Sequence, residues 1–264
     1  MITLYAANMR MAVQTQIQYR AANYFYMIGM IAEPVVYLVV WSTIASANGG
    51  SIDGLTAKDF AAYYIVWTLV RNMNIVLTPF AWEERIKDGT FSGQLMKPVH
   101  PIHEDLAQFM GWKLVVLVLW IPLAIVLALL FKPSLSPTML QCAVFFFAIW
   151  GAYFIRAIMQ WSLGLITFWT TRVGAIFEAY YLSELLLSGR VFPLVLTPHW
   201  FQTLTWFFPF RWCFYFPIIA LIGPITTRDL FIGMGMQVAW ILFSIGLLWV
   251  VWPRAVRRFS SVGG

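Results

Sequence analysis

One charged interruption in an otherwise apolar ribbon constrains this chain more than any other feature. Glu83, Glu84, Arg85, Lys87, Asp88, Lys97, Glu104 and Asp105 crowd into a short stretch of a chain with 17 basic and 11 acidic side chains in 264 residues. Long runs of Leu, Val, Ile, Phe and Trp lie on both sides. Charges and unpaired backbone groups lose their water in hydrocarbon at a high cost, so this segment must project from a membrane that the flanking runs enter. One polar arm among short loops reads as a membrane part driven by something outside the membrane.

Composition supports that reading. Hydrophobic residues make up 61% of the chain and charged ones 11%, against about a quarter charged in soluble domains. The 14 tryptophans suit interfacial belts, where an amphipathic ring sits at headgroup depth. The net charge of +6 does not form a basic stripe interleaved with aromatics, so no nucleic-acid partner is expected. The basic residues flank apolar runs, as membrane topology demands. Cys142 and Cys213 lie in apolar sequence and read as buried, inert thiols without metal-ligand spacing. Met1–Arg20 lacks a short apolar core followed by a small-residue cleavage site, so no cleaved signal peptide is expected.

A hydrocarbon core about 30 Å thick needs roughly 20 apolar residues of helix. The expected spans are Tyr24–Ala47, Phe60–Trp82, Leu106–Phe131, Met139–Trp169, Val173–Leu187 with its continuation, and Phe231–Trp252. From Ser188 to Thr227 the chain is broken by Gly189, Pro193, Pro198, Pro209, Pro217 and Pro224. Proline removes a helical hydrogen bond and restricts the residue before it, so two short helices dipping into the outer leaflet are expected here. Charge parity favours six spans over seven. Six spans put Arg10, Arg20, Arg85, Lys87, Lys97, Lys113, Arg172, Arg254, Arg257 and Arg258 inside, and Lys58, Lys132, Arg190, Arg211 and Arg228 outside. A seventh span would carry the basic tail outside, against the positive-inside rule. Ahead of the first span, Ile2, Tyr5, Met9, Val13 and Ile17 recur at helical spacing, which predicts an in-plane helix on the cytoplasmic leaflet, with a simple extension of the first span as the alternative. The whole chain, 1–264, reads as a single all-α integral membrane domain.

Candidate chemistry is sparse. No phosphate-binding loop or dinucleotide fingerprint is present, so no ATP site of those kinds is expected on this chain. Gly233-Met234-Gly235 reads as a place of close helix approach. His100, His103 and His199 sit in loops and match no triad or metal pattern. Catalytic, cofactor and metal residues are therefore not assigned. The intramembrane charges Glu33, Arg71, Arg156, Glu178 and Glu184 are sharper, because each is expensive unless paired or hydrated. They either pair internally or line a polar path. Glu178 and Glu184 lie about 240° apart on a helix and cannot face one lumen.

In the arm, charges cluster before Gly89, whereas Phe91, Leu95 and Met96 fit one apolar face of a short helix ending at Pro98. Such a helix fits a groove on a cytosolic partner or a headgroup layer. The order Gln18-Tyr19-Arg20-Ala21-Ala22-Asn23, Ile86-x-x-Gly89…Gly93-x-Leu95-x-x-Pro98-Val99-x-Pro101-Ile102, Phe168-Trp169-Thr170, Phe192-Pro193-Leu194…Pro198-x-Trp200…Pro209 and Arg257-Arg258-Phe259-Ser260-Ser261 resembles the ABC-2 type permeases of ATP-binding cassette transporters, in a bacterial branch of uncharacterised substrate.

The resemblance implies a six-span permease in the bacterial cytoplasmic membrane with both termini cytoplasmic and an outer re-entrant hairpin between spans five and six. It implies pairing with a second permease, often a different one, with a homodimer as the alternative. Two ATPase copies would hold the ATP and magnesium. Glu84, Arg85, Ile86, Lys87, Phe91, Leu95 and Met96 would form the coupling helix, with Phe91 and Leu95 in the ATPase groove and the charges at its rim. Export of an amphipathic or hydrophobic compound by alternating access is the implied activity. A stand-alone secondary transporter using the membrane carboxylates would be expected to show inverted repeats, and none is visible. A lipid-modifying enzyme would need a clustered nucleophile or metal set.

Overall fold

The computed structural model describes residues 1–170 and 173–258. Arg172 and the tail residues Phe259, Ser260 and Ser261 lie outside the described residues, as does the side chain of Arg20.

The chain is built almost wholly from helices. Helices α1 (Ile2–Gln18) and α2 (Arg20–Ala47) are separated at Tyr19. Two short strands, β1 (Ser51–Ile52) and β2 (Leu55–Thr56), pair antiparallel. Then come α3 (Ala57–Met73), α4 (Pro79–Lys87), α5 (Thr90–Leu95), α6 (Ile102–Phe131) and α7 (Met139–Gly164), which runs on into a 3-10 turn, Leu165–Phe168. Helix α8 (Gly174–Leu187) precedes a second 3-10 turn, Leu194–Leu196. The short helices α9 (His199–Trp206), α10 (Pro209–Cys213) and α11 (Tyr215–Ile222) lead to α12 (Thr227–Arg258). Among the described residues three helices are long and apolar enough to cross a membrane: α6, α7 with its extension, and α12.

Helix α3 forms the centre. A capping box starts it, with the Asp59 carboxylate accepting from the Thr56 N–H at 2.9 Å. Every residue from Phe60 to Val70 is buried, as expected of a helix enclosed on all sides. Helix α2 runs antiparallel to it, with Trp41 stacked on Phe60 at 5.5 Å near one end and Glu33 beside Arg71 near the other. On another side Trp120 of α6 donates to Thr68 Oγ1 at 2.6 Å.

Two expectations are corrected. The second span was expected to run on to Trp82, but α3 stops at Met73 and Trp82 belongs to α4. The Asn74 side chain donates to Val70 O and Cys213 O at 2.9 and 2.8 Å, which fixes the chain where the helix ends. Thr78 then caps α4 through Ala81 N. The in-plane setting of α1 also fails. Tyr5 bonds His103 at 2.9 Å, and a Cβ on Gly111 would lie 2.5 Å from Met9 O and 2.9 Å from Ala12 Cβ. Lacking a side chain, Gly111 lets α1 lie backbone-close along the start of α6, in the same direction. Ile2 and Ile17 of the apolar stripe are exposed.

The bundle has two distinct ends. The arm end gathers α4, α5, the start of α6 and the last turns of α7 and α12. The hairpin end gathers β1–β2, the loop after α6 and Gly223, tied by Ser134 N to Lys58 O (3.3 Å) and Gln141 Nε2 to Gly223 O (3.0 Å). Gly233 admits the Phe216 ring, whose nearest atom a Cβ would meet at 1.9 Å, whereas Gly235 faces open space. Cys213 is buried, but Cys142 is exposed, because it lies on the outward side of the first turn of α7.

Candidate functional site

The polar arm is docked on its own chain. Trp82 of α4 is wholly buried, edge-on to Trp161 at 4.6 Å and seated on Gly164, where a Cβ would come within 2.2 Å of its ring. Arg85 makes a bidentate pair with Asp105 of α6 at 2.8 and 2.7 Å, and Trp161 Nε1 donates to the same carboxylate at 2.9 Å. Glu83 accepts from Val173 N at the start of α8, and Lys97 pairs with Glu104 at 2.7 Å. The arm thus bonds α6 and the start of α8 and packs on α7.

The expected coupling helix over 86–96 is two helices. Gly89 takes a positive φ of 70°, which ends α4 at Lys87 and starts α5 at Thr90; such backbone suits glycine, which has no Cβ to clash. Phe91, expected in a partner's groove, is buried here against Trp82 (5.1 Å), Phe168 (5.4 Å) and Trp252 of α12 (6.3 Å). Trp82, Phe168 and Trp252 offer it an apolar seat within its own chain, so the ring turns inward. The Arg85 fork is occupied by Asp105 rather than standing at a rim, and Ile86 and Leu95 are partly buried in the same cluster. Glu84, Lys87 and Asp88 remain exposed, as does Met96, at 84%.

A second set of charges closes the end of α3. The last carbonyls of a helix have no partner within it and in lipid must find one. Lys113 of α6 donates to Asn72 O at 3.1 Å and to Ile75 O. Arg156 of α7 donates to Asn74 O and pairs in bidentate fashion with Glu184 of α8, both contacts at 2.9 Å. Cations at a helix C-terminus also oppose its dipole. Three neighbouring helices therefore hold the point at which α3 gives way to the arm. Glu184 is 2% exposed and Glu178 is exposed, consistent with their opposite placement on α8.

Glu33 pairs with two arginines, Arg71 at 2.8 Å and Arg190 at 2.8 Å. Arg190 was expected on the outer side. It reaches Glu33 because the chain after α8 folds back onto α2 and α3: Gly189 O accepts from Tyr63, and Val191 O accepts from both Tyr64 and Trp41. Sequence reasoning missed Asp105, Lys113 and Arg190 as pairing partners. A lysine placed just before the uninterrupted apolar run of α6 was the available signal for Lys113; the local sequence carries none for Arg190.

His100 was expected in a solvated loop. It is half-buried, its ring 4.1 Å from Trp252 and 5.2 Å from Trp161, with Nδ1 accepting from Ile102 N at 3.2 Å. Burial, then the neighbouring His103, pull its pKa down to about 4. At the hairpin end a cavity of about 570 Å³ is lined by Asp53, Asp59, Phe60, Tyr63, Tyr215 and Asp229, among others.

Long apolar helices, an arm bonded beneath them and buried ion pairs between them describe a multi-pass membrane protein. None of the curated proteins compared with the chain matches it significantly. The family model described as "ABC-2 family transporter protein" matches residues 31–263, nearly the whole chain. The chain therefore belongs to the ABC-2 family of transporter proteins and is a membrane permease of the ABC transporter class.

Proposed function

We propose that this chain is the non-catalytic membrane subunit of an ABC exporter. Helices α2, α3, α6, α7, α8 with its continuation, and α12 cross the bacterial cytoplasmic membrane, and residues 194–222 fold back from the outer face. Both termini and the arm are cytoplasmic. A second permease, often a different one, completes the path. A separate ATPase dimer binds ATP and magnesium and drives alternating access for an amphipathic or hydrophobic solute.

The observation that carries this reading is the arm. Its charges and rings contact α6, α7, α8 and α12, so a push on it reaches most of the bundle at once. Because Phe91 is engaged inside, the motor would be met by exposed residues of the arm, among them Met96, Glu84, Lys87 and Asp88. An exposed apolar side chain on an arm that also exposes charges suits an anchor with a polar rim.

Cysteines placed at Lys87 and Met96 should cross-link to the ATPase in the assembled complex, and the purified chain alone should hydrolyse no ATP. Cross-links absent from both positions in an active complex, or robust turnover by the isolated chain, would overturn the reading.

A further inference from the structure

The cluster Glu33, Arg71 and Arg190 has more positive than negative charge. All eleven acidic side chains of the sequence fall in the described residues, and Glu33 is the acid within ion-pairing range of both guanidiniums. Asp105, Glu184, Glu83 and Glu104 are engaged by other bases. Arg190 uses Nε and one terminal nitrogen on Glu33. Its other terminal nitrogen makes no hydrogen bond among the described residues. Both guanidiniums lie over the ring of Trp67, at 5.3 and 5.7 Å from its centroid, and the buried Nε1 of that ring has no partner among the described residues.

The cluster is deep, yet open. Glu33 lies fourteen residues inside the end of α2 at Ala47, and Arg71 lies fourteen residues after the start of α3 at Ala57. Each is about 21 Å of helix from the hairpin end, more than half of a hydrocarbon core. The side chains of Arg71, Arg190 and Glu33 are nevertheless 20%, 23% and 27% exposed. A net charge cannot face hydrocarbon at that depth without large cost, so the opening must meet water or a counter-charge. Arg190, with a donor to spare, favours oxyanions, which a guanidinium binds through charge-assisted hydrogen bonds.

We propose that Arg190, with the charge of Arg71 beside it, forms a binding site for an anionic oxygen group, a phosphate or carboxylate, carried on an amphiphile. Glu33 holds the two guanidiniums in place and sets the site's net charge at one positive unit. The role rests on the permease reading, in which this opening faces the transport path; the binding chemistry does not depend on it.

The test uses the full chain in neutral maltoside micelles, with labelled dodecyl phosphate as the probe and dodecyltrimethylammonium as the competitor. Saturable binding is expected, with no displacement by the cation. Arg190→Gln should weaken binding roughly tenfold, the worth of one charge-assisted contact. Glu33→Gln, which removes the competing carboxylate, should tighten it severalfold. A misfolded Arg190→Gln variant could mimic the loss but not the gain in Glu33→Gln, which keeps the result readable. Wild-type binding no stronger than that of Arg190→Gln, unchanged or weaker binding in Glu33→Gln, or equal displacement by the cation would each overturn the proposal. Two further arms separate the sources. Phosphatidylglycerol retained through purification by the wild type but not by Arg190→Gln assigns the site to a bilayer lipid. Stimulation of ATP turnover in the assembled complex by dodecyl phosphate, lost in Arg190→Gln, assigns it to the transported solute. Failure of the complex to hydrolyse ATP at all would sink the permease reading while leaving the micelle result standing.

Discussion

The arm end and the hairpin end of this bundle hold together in different ways. At the arm end, Trp82, Phe91, Trp161, Phe168, Trp252 and His100 interlock ring against ring, and the Arg85–Asp105 pair is fastened by a further indole donor. At the hairpin end, a few hydrogen bonds between loops surround a cavity of about 570 Å³. Dense packing transmits displacement, whereas a cavity leaves room for it. In the proposed function force arrives at the arm end and the path opens at the other, which this difference suits.

Several substitutions and a change of pH would break or sharpen that contrast. The largest effect is expected for Arg156→Ala, which strands Glu184 at 2% exposure and leaves Asn74 O without its cation. Losing one partner of a buried pair costs about 3–5 kcal/mol, read as a lowered midpoint of unfolding in detergent. A midpoint equal to wild type would mean that Glu184 reaches water.

Phe91→Ala should cost a comparable amount, about 3–5 kcal/mol for a buried ring, and should expose the arm to protease even without any ATPase present. Its counterpart at the hairpin end is Gln141→Ala, which removes the bond to Gly223 O and should cost about 1 kcal/mol. If the two variants lose equal stability, the ends are not differently built.

Gly164→Ala tests the seat of Trp82. The added methyl meets the indole within 2.2 Å, and overpacking of this kind costs about 1–3 kcal/mol. Limited proteolysis at the arm should accelerate in step with the loss, and an unchanged cleavage rate would argue that Trp82 is not what fastens the arm.

The smallest effect is expected from pH. His100 titrates at about 4 in the folded chain and near 6.5 when unfolded. Between these values the unfolded chain binds a proton that the folded one does not, so stability falls as pH is lowered through that window. His100→Gln should flatten the pH dependence of the melting midpoint there. A midpoint rising on acidification would contradict the buried, neutral ring.

Much of this was legible in the residues. Apolar runs identified α6, α7 and α12, proline and glycine marked the broken region after α8, and depth flagged Glu33, Arg71, Arg156, Glu178 and Glu184 as pairing candidates, of which all but the exposed Glu178 stand in ion pairs. What failed was partner choice. Phe91 looks like an anchor for another protein because hydrophobicity is legible in sequence, but the direction a ring faces depends on Trp252, more than 150 residues away. The same holds for the end of α3. The hydrophobic run continues past Met73, and the stop is imposed by Lys113, Arg156 and the Cys213 carbonyl from three distant elements. Arg190 was assigned by counting charges between spans, a rule about which side a loop lies on that says nothing of how deep it folds back.

The enclosure of α3 bears on how the molecule is made. A segment with no lipid-facing side, carrying Thr68, Arg71, Asn72 and Asn74, has little reason to remain in a bilayer until its neighbours arrive. Helix α2 emerges before it, but α6 and α7, which supply Trp120, Lys113 and Arg156, are synthesised later. We expect α3 to wait at the insertion machinery and to settle only when α7 joins it. Chains truncated after Lys97 should therefore leave α3 extractable or accessible from the aqueous side, while chains truncated after Thr170 should not. Membrane integration of α3 in both truncations alike would show that the helix inserts alone.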